Sequence, residues 1–269
     1  LMESVSLHQR SDVPYGLFLS GGIDSSAILA CMRELNQHPV ETFSAGFSGT
    51  KVADERAHAK SVAKAAGANF HAVEFDEDDF WSLLPEVINC LDDPTTDYAT
   101  LPTFKLGALA REHGLKVVLS GEGGDELFAG YGRYRRLLRP WWMGGRAMQR
   151  KGLFHGSRIL RETVRGEKIV NSEHVSFKEL SKLQIAQAQD CENWLPNDLL
   201  IKLDRCLMAH GVEGRTPFLD LEVANVAMRL PDQLKIKNNL GKYVLRKWLD
   251  KKLPEAKAFR PKRGFSVPV

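Results

Sequence analysis

Among the four cysteines, Cys31, Cys90, Cys191 and Cys206, there is no C-x-x-C pair and no zinc-ligand spacing. That argues against a disulfide scaffold or a zinc module and predicts a reduced, cytoplasmic protein. The eight histidines include no H-E-x-x-H, so the zinc-peptidase pattern is missing as well. No apolar run reaches membrane-crossing length, and no secretory signal opens the chain. Charge of one sign does not dominate either, with 37 Lys and Arg against 34 Asp and Glu and a net charge of +3. The one bias is local: between Arg133 and Lys168, eleven basic residues stand against Glu162 and Glu167. No nucleic-acid motif accompanies that stretch, so it reads as solvated helical surface and no nucleic-acid partner is expected. Repeats and low-complexity segments are absent.

Two familiar phosphate loops are also missing. Neither G-x-x-x-x-G-K-[ST] nor G-x-G-x-x-G occurs. In their place, the apolar run Tyr15–Leu19 leads into Ser20-Gly-Gly-Ile-Asp-Ser-Ser26, after which Ala27, Ile28, Cys31, Met32 and Leu35 fall on one helical face. Gly21 and Gly22 let backbone amides approach an anion at the start of that helix, where the dipole is positive. Ser20, Ser25 and Ser26 add hydroxyl donors. Asp24 would repel phosphate oxygens unless a divalent cation stood between them, and Mg²⁺ suits a carboxylate plus phosphate oxygens. The competing reading is an ordinary Gly-Gly turn capped by Asp and Ser.

Along the first half, strand-like runs (Tyr15–Leu19, Val40–Ala45, Asn69–Phe75, Leu115–Leu119) alternate with helical patterns (Asp24–Leu35, Asp54–Ala66, Asp79–Leu91, Leu101–His113). Alternation of this kind predicts an α/β fold, a parallel sheet with helices on both faces and ligands beyond the carboxyl ends of the strands. After about Gly132 the strand signals fade, and Phe177–Gln189, Asp198–Met208, Glu222–Arg229 and Tyr243–Lys251 predict a mainly helical region. The chain therefore divides into a nucleotide-binding part, 1–135, and a helical part, 136–269, that completes the site. With 43% hydrophobic residues the length supports one large or two small domains. Starting at Leu1 and running out at Val269 without an obvious stop, it reads as a piece of a longer protein.

A second loop, Ser120-Gly-Glu-Gly-Gly-Asp-Glu126, follows the strand that ends at Leu119. Three carboxylates crowd into five residues there, and burying them unpaired would cost several kcal/mol, so the loop must meet water or a cation. Asp125 and Asp24 together offer Mg²⁺ a bridging site. An acidic turn capping a short helix is the competing reading.

The Ser20–Ser26 segment resembles the loop of ATP pyrophosphatases (the adenine nucleotide alpha hydrolase-like group), which split ATP between its α and β phosphates. Ser120–Glu126 resembles the second signature of glutamine-dependent asparagine synthetases, and the likeness runs from Asp12 to Pro268. The resemblance implies that Ser120 and Gly121 contact the nucleotide and that Asp125 binds Mg²⁺. By the same likeness, Glu122 handles the proton of the attacking amine or stabilises the tetrahedral intermediate, and Leu19 and Ala45 touch adenine. Leu203-Asp-Arg through Asp220 is similar to a third family segment, which implies that Asp204 approaches the nucleotide or its metal and that Arg215 and Asp220 shape the acid-substrate side. A purely structural pairing among Asp204, Arg205, Glu213 and Arg215 competes with that. Lys242-Tyr-Val-Leu-Arg246 is similar to the family's K-x-x-L-R, which implies that Lys242 reaches the phosphates. Arg260-Pro-Lys-Arg-Gly-Phe265 matches its closing K-x-G-F.

The implied activity is ATP-dependent amide synthesis. A carboxylate, aspartate or another small acid, is adenylated and then attacked by ammonia. Asp24, Glu122, Asp125 and Lys242 are the expected catalytic groups. In the family, ammonia comes from an N-terminal glutaminase domain that these residues do not include. Rival readings are a β-lactam synthetase, a peptide cyclase, a natural-product or sugar amidotransferase, a tRNA-modifying pyrophosphatase, and a non-catalytic nucleotide-binding module. The segment Asp92–Asp97 and the neighbourhood of Tyr131–Tyr134 are expected to shape the acceptor pocket. A homodimer is left open.

Overall fold

The computed structural model describes residues 1–47, 55–92, 95, 97–146, 148 and 180–260. Most of the basic stretch beyond residue 146 and the closing motif after Arg260 lie outside them.

The expected alternation is present. A first helix, α1 (Met2–His8), precedes β1 (Tyr15–Phe18), α2 (Ile23–Leu35), β2 (Glu41–Phe47), α3 (Arg56–Ala66), β3 (Asn69–Phe75), α4 (Glu77–Cys90), α5 (Thr100–Glu112) and β4 (Val117–Leu119). Helix α4 starts earlier than its apolar stripe suggests because Asp76 caps it, its side chain accepting from the Asp79 backbone at 2.8 Å. Short helices α6 (Gly124–Leu127) and α7 (Gly132–Leu137) follow, then α8 (Lys182–Gln189), α9 (Ile201–Met208), α10 (Leu221–Arg229), α11 (Asp232–Lys235) and α12 (Tyr243–Lys252). Between α8 and α9, residues Asp190–Leu200 wind as a wide π-helical stretch containing Pro196. Such local widening is a frequent companion of functional sites.

One element was not expected. Within the mainly helical region, Glu213–Arg215 forms β5, parallel to β4, with Val118 opposite Gly214. Two charged residues around a glycine carry no apolar alternation, so nothing in the sequence marked this edge strand.

The five strands pair in parallel, in the order β3-β2-β1-β4-β5. Side chains alternate between the faces. Leu17, Leu19, Val117 and Leu119 pack with α2, α3, α10 and α12 on one side. Phe43 and Val118 pack with α5 and α9 on the other. Leu17 lies opposite both Thr42 and Leu119, so β1 and β4 are neighbours whose crossovers leave in opposite directions. Ligands settle at such a switch point, and both signature loops leave from it. Among the described residues no helix is long and apolar enough to cross a membrane.

Candidate active site

The two loops interlock through their glycines. Gly21 has φ +73°, a backbone that side chains with a Cβ rarely adopt, and a Cβ there would come 3.1 Å from the His58 ring. A Cβ on Gly121 would come 2.9 Å from Cβ of Asp24, and one on Gly124 would come 2.4 Å from Asp24 Oδ1. The strand ends can therefore touch only because neither loop carries bulk at these points. Ser25 pins the first loop: its hydroxyl accepts from the Ser20 backbone at 3.3 Å, lies 3.2 Å from Ser20 Oγ and donates to the Gly22 carbonyl at 3.3 Å. Gly22 remains exposed at the start of α2.

Lys242 stands where the loops meet. It is 2% exposed and has φ +57° at the cap of α12. Its Nζ pairs with Asp24 Oδ2 and lies 2.8 Å from Asp125 Oδ1. Burial alone would lower its pKa, but Asp125 and Asp24 outweigh that and hold the ammonium charged above the ordinary lysine range. Space for the lysine comes from Gly130, where a Cβ would sit 1.8 Å from Asp125 Oδ1 and 2.2 Å from Lys242 Cε. Desolvation pushes the Glu122 carboxyl up, with Lys202 opposing and Asp125, Asp24 and Asp97 adding to the rise.

These residues border a cavity of about 1180 Å³. Leu19, Ser20, Gly21, Gly22, Asp24, Ser25, Ala45, Ser120, Gly121, Glu122, Asp125 and Lys242 all line it. Ser26 does not. It is fully buried, without a hydrogen-bond partner for its hydroxyl, because one further residue along α2 turns it onto the core face. Asp204 is also away from the cavity. Lys202 and Leu203 line it, while the next residue on α9 turns outward, 64% exposed and 4.0 Å from Arg205. Arg215 pairs with Glu213 at 2.9 Å and donates to the carbonyls of His8 and Arg10, so it braces the chain start instead of the acid-substrate side. Asp220 caps α10, accepting from the Glu222 backbone at 2.9 Å.

Several cavity residues carried no role in the sequence reading. Lys202, 6% exposed, donates to Asp97 Oδ2 at 2.6 Å, and Asp198 lies close by with its pKa raised by burial. Trp194 and Asp198 come from the π-helical stretch, and His58 from α3. In the Tyr131–Tyr134 stretch expected to shape the acceptor pocket, Tyr131 lines the cavity and donates to Glu126 at 2.6 Å, and burial pushes that carboxyl to about 7. Arg133 lies 4.1 Å from the centre of the Tyr131 ring and pairs with Asp190 at 2.9 Å.

The donor set suits a magnesium–phosphate complex in one specific way. Two carboxylates from different loops already converge on a single cationic nitrogen, and the exposed residues Ser20 and Gly22 stand beside them in the first loop. Among the described residues no group of three or more acids, histidines or cysteines forms a metal cage. Two converging carboxylates fit an ion that takes its remaining ligands from water and phosphate, as Mg²⁺ does.

Comparison with known proteins shows the family. The family described as asparagine synthase matches residues 1–269. Asparagine synthetase [glutamine-hydrolyzing] 1 of Bacillus subtilis is 33% identical over 100% of this chain and 49% of its own length. A putative asparagine synthetase [glutamine-hydrolyzing] of Mycobacterium tuberculosis is 36% identical over 100% and 47%. Asparagine synthetase B [glutamine-hydrolyzing] of Escherichia coli is 30% identical over 99% and 43%. The chain spans about half the length of the curated relatives it matches. It belongs to the asparagine synthase family.

Proposed function

We propose that this chain carries out ATP-dependent amide synthesis, joining ammonia to a small carboxylate, with aspartate the expected acceptor. A carboxylate has no usable leaving group at neutral pH. Its oxygen attacks the α-phosphorus of ATP, the α–β bond breaks, and pyrophosphate departs. Ammonia then attacks the acyl carbon and AMP leaves, giving asparagine when the acid is aspartate. Here the loop amides of Gly21 and Gly22 would receive phosphate oxygens, and Leu19 and Ala45 would flank adenine. Ser120 and Gly121 would hold the nucleotide from the second loop. Asp24 and Asp125 would hold Mg²⁺, which neutralises phosphate charge when bound. Lys242 would stabilise charge on the departing group, as a preorganised cation does. Glu122 would take the proton of the attacking amine.

The observation that carries this reading is the shared ion pairing of Lys242 with Asp24 and Asp125, at the touching ends of β1 and β4. The wall formed by Lys202, Asp97, Asp198 and Trp194 supports an acceptor pocket screened from water, which would protect an acyl adenylate from hydrolysis. Residues 1–135 would supply the nucleotide loops and 136–269 the covering wall. Ammonia would come from a glutaminase part such as the family carries, in the cytoplasm.

The test is a screen of carboxylates for pyrophosphate release with Mg-ATP and ammonium. Release that depends on an acid supports the reading, with aspartate expected to lead. ATP binding without release under any acid would favour a non-catalytic nucleotide module.

A further inference from the structure

Two lysines with left-handed backbone line the same cavity, one near each end of a single helix. Lys242 (φ +57°) caps the start of α12, and Lys257 (φ +49°) follows the short turn Pro254–Ala256 after its end. Residues with a Cβ persist in that conformation only where their surroundings hold them, and such positions cluster at sites. The holding group is Arg246. Its Nε donates to the Gly241 carbonyl at 2.7 Å, and its Nη1 donates to the carbonyls of Ala258 and, at 3.2 Å, Arg260. A single guanidinium, 2% exposed, thus fastens the residue before Lys242 and the residue after Lys257.

The two lysines differ in charge balance. Lys242 already faces two carboxylates. Lys257 and Arg260 also line the cavity, and among the described residues neither has a carboxylate partner. Their place is on the phosphate-loop side, since the Pro254–Ala256 turn packs against α3 and α3 brings His58 against Gly21. The first loop has no lysine of its own, so positive charge for a polyphosphate must come from another segment.

We propose that the Lys257–Arg260 turn is a second anion-holding element that takes the pyrophosphate end of the nucleotide. Arg246 is the positioning residue that sets this turn and the Lys242 turn together. The inference rests on reading the cavity as a nucleotide site. Ammonium and guanidinium donors on phosphate oxygens form the stronger, charge-assisted class of hydrogen bond.

The test is calorimetric titration of the full chain with magnesium pyrophosphate and, separately, with AMP. Lys257→Gly should weaken pyrophosphate binding about tenfold, as the loss of one charged hydrogen bond does. AMP binding should stay within about twofold, and the melting temperature should hold or rise, because glycine accepts the left-handed backbone without strain. Lys257→Arg should keep pyrophosphate affinity. Unchanged pyrophosphate binding in Lys257→Gly, or an equal loss for AMP, overturns the proposal while leaving the nucleotide site standing. A wild-type chain that binds neither ligand removes the nucleotide reading and this inference with it.

Discussion

Nζ of Lys242 lies 2.8 Å from Oδ1 of Asp125 while pairing with Asp24 on the other loop, so one side chain from the residue that caps α12 closes the gap between two strand ends. The lysine's side chain is 3% exposed and those of the acids 16% and 19%. Removing it takes a buried cation away from two carboxylates. Lys242→Met should lower stability by about 3 kcal/mol, the usual cost of breaking a buried pair. Adding Asp24→Asn should recover part of that stability without recovering activity. Chemical denaturation of the single and double variants measures both.

Gly130 is constrained by contact, since a Cβ would meet Asp125 Oδ1 at 1.8 Å and Lys242 Cε at 2.2 Å. Gly130→Ala should therefore displace the ion pair, with a stability loss of about 1–3 kcal/mol and a fall in pyrophosphate release. An alanine variant with wild-type melting and turnover would show that the lysine is not held at this point.

Glu126 sets a pH dependence. Burial raises its pKa from 4.5 to about 7, so the folded chain holds this proton more tightly than the unfolded chain does. Its contribution to stability is complete below pH 4.5 and is lost as the pH rises through about 7. Between those limits the wild type should lose up to about 3 kcal/mol relative to Glu126→Gln. Parallel stability curves for the two proteins would contradict this.

Asp204 and Lys202 are two residues apart on α9 but face different surroundings. Asp204→Asn should leave turnover within about twofold, as surface changes usually do. Lys202→Met, which leaves Asp97 without its cation, should raise the KM for the acceptor acid well above wild type. Steady-state kinetics with ATP saturating separates the two.

The reach of the sequence followed physical range. Strand ends, glycine loops and the acids they carry are local patterns, so β1 to β4, the two loops and their meeting at the switch point were all legible. Asp204 lies off the cavity because a family segment gives no rotational phase, and one residue along a helix turns a side chain by about 100°. Ser26 lies off it for the same reason. Lys202, Asp198 and His58 could not be placed because their roles depend on which helix faces the cavity, a long-range matter. β5 was invisible because an edge strand of three residues, two of them charged, has no hydrophobic signature. The π-helical stretch at Asp190–Leu200 offered one cue, Pro196 inside an otherwise helical run.

The claim at the centre is that a carboxylate oxygen attacks the α-phosphorus of ATP between the loops at Ser20 and Ser120. Acceptor acid labelled with heavy oxygen in both carboxylate positions tests it directly. If the acid is adenylated, one labelled oxygen must leave with AMP when ammonia displaces it, and mass spectrometry of AMP should show the label in stoichiometric yield. AMP without label, or label recovered in inorganic phosphate alongside ADP, would contradict the account.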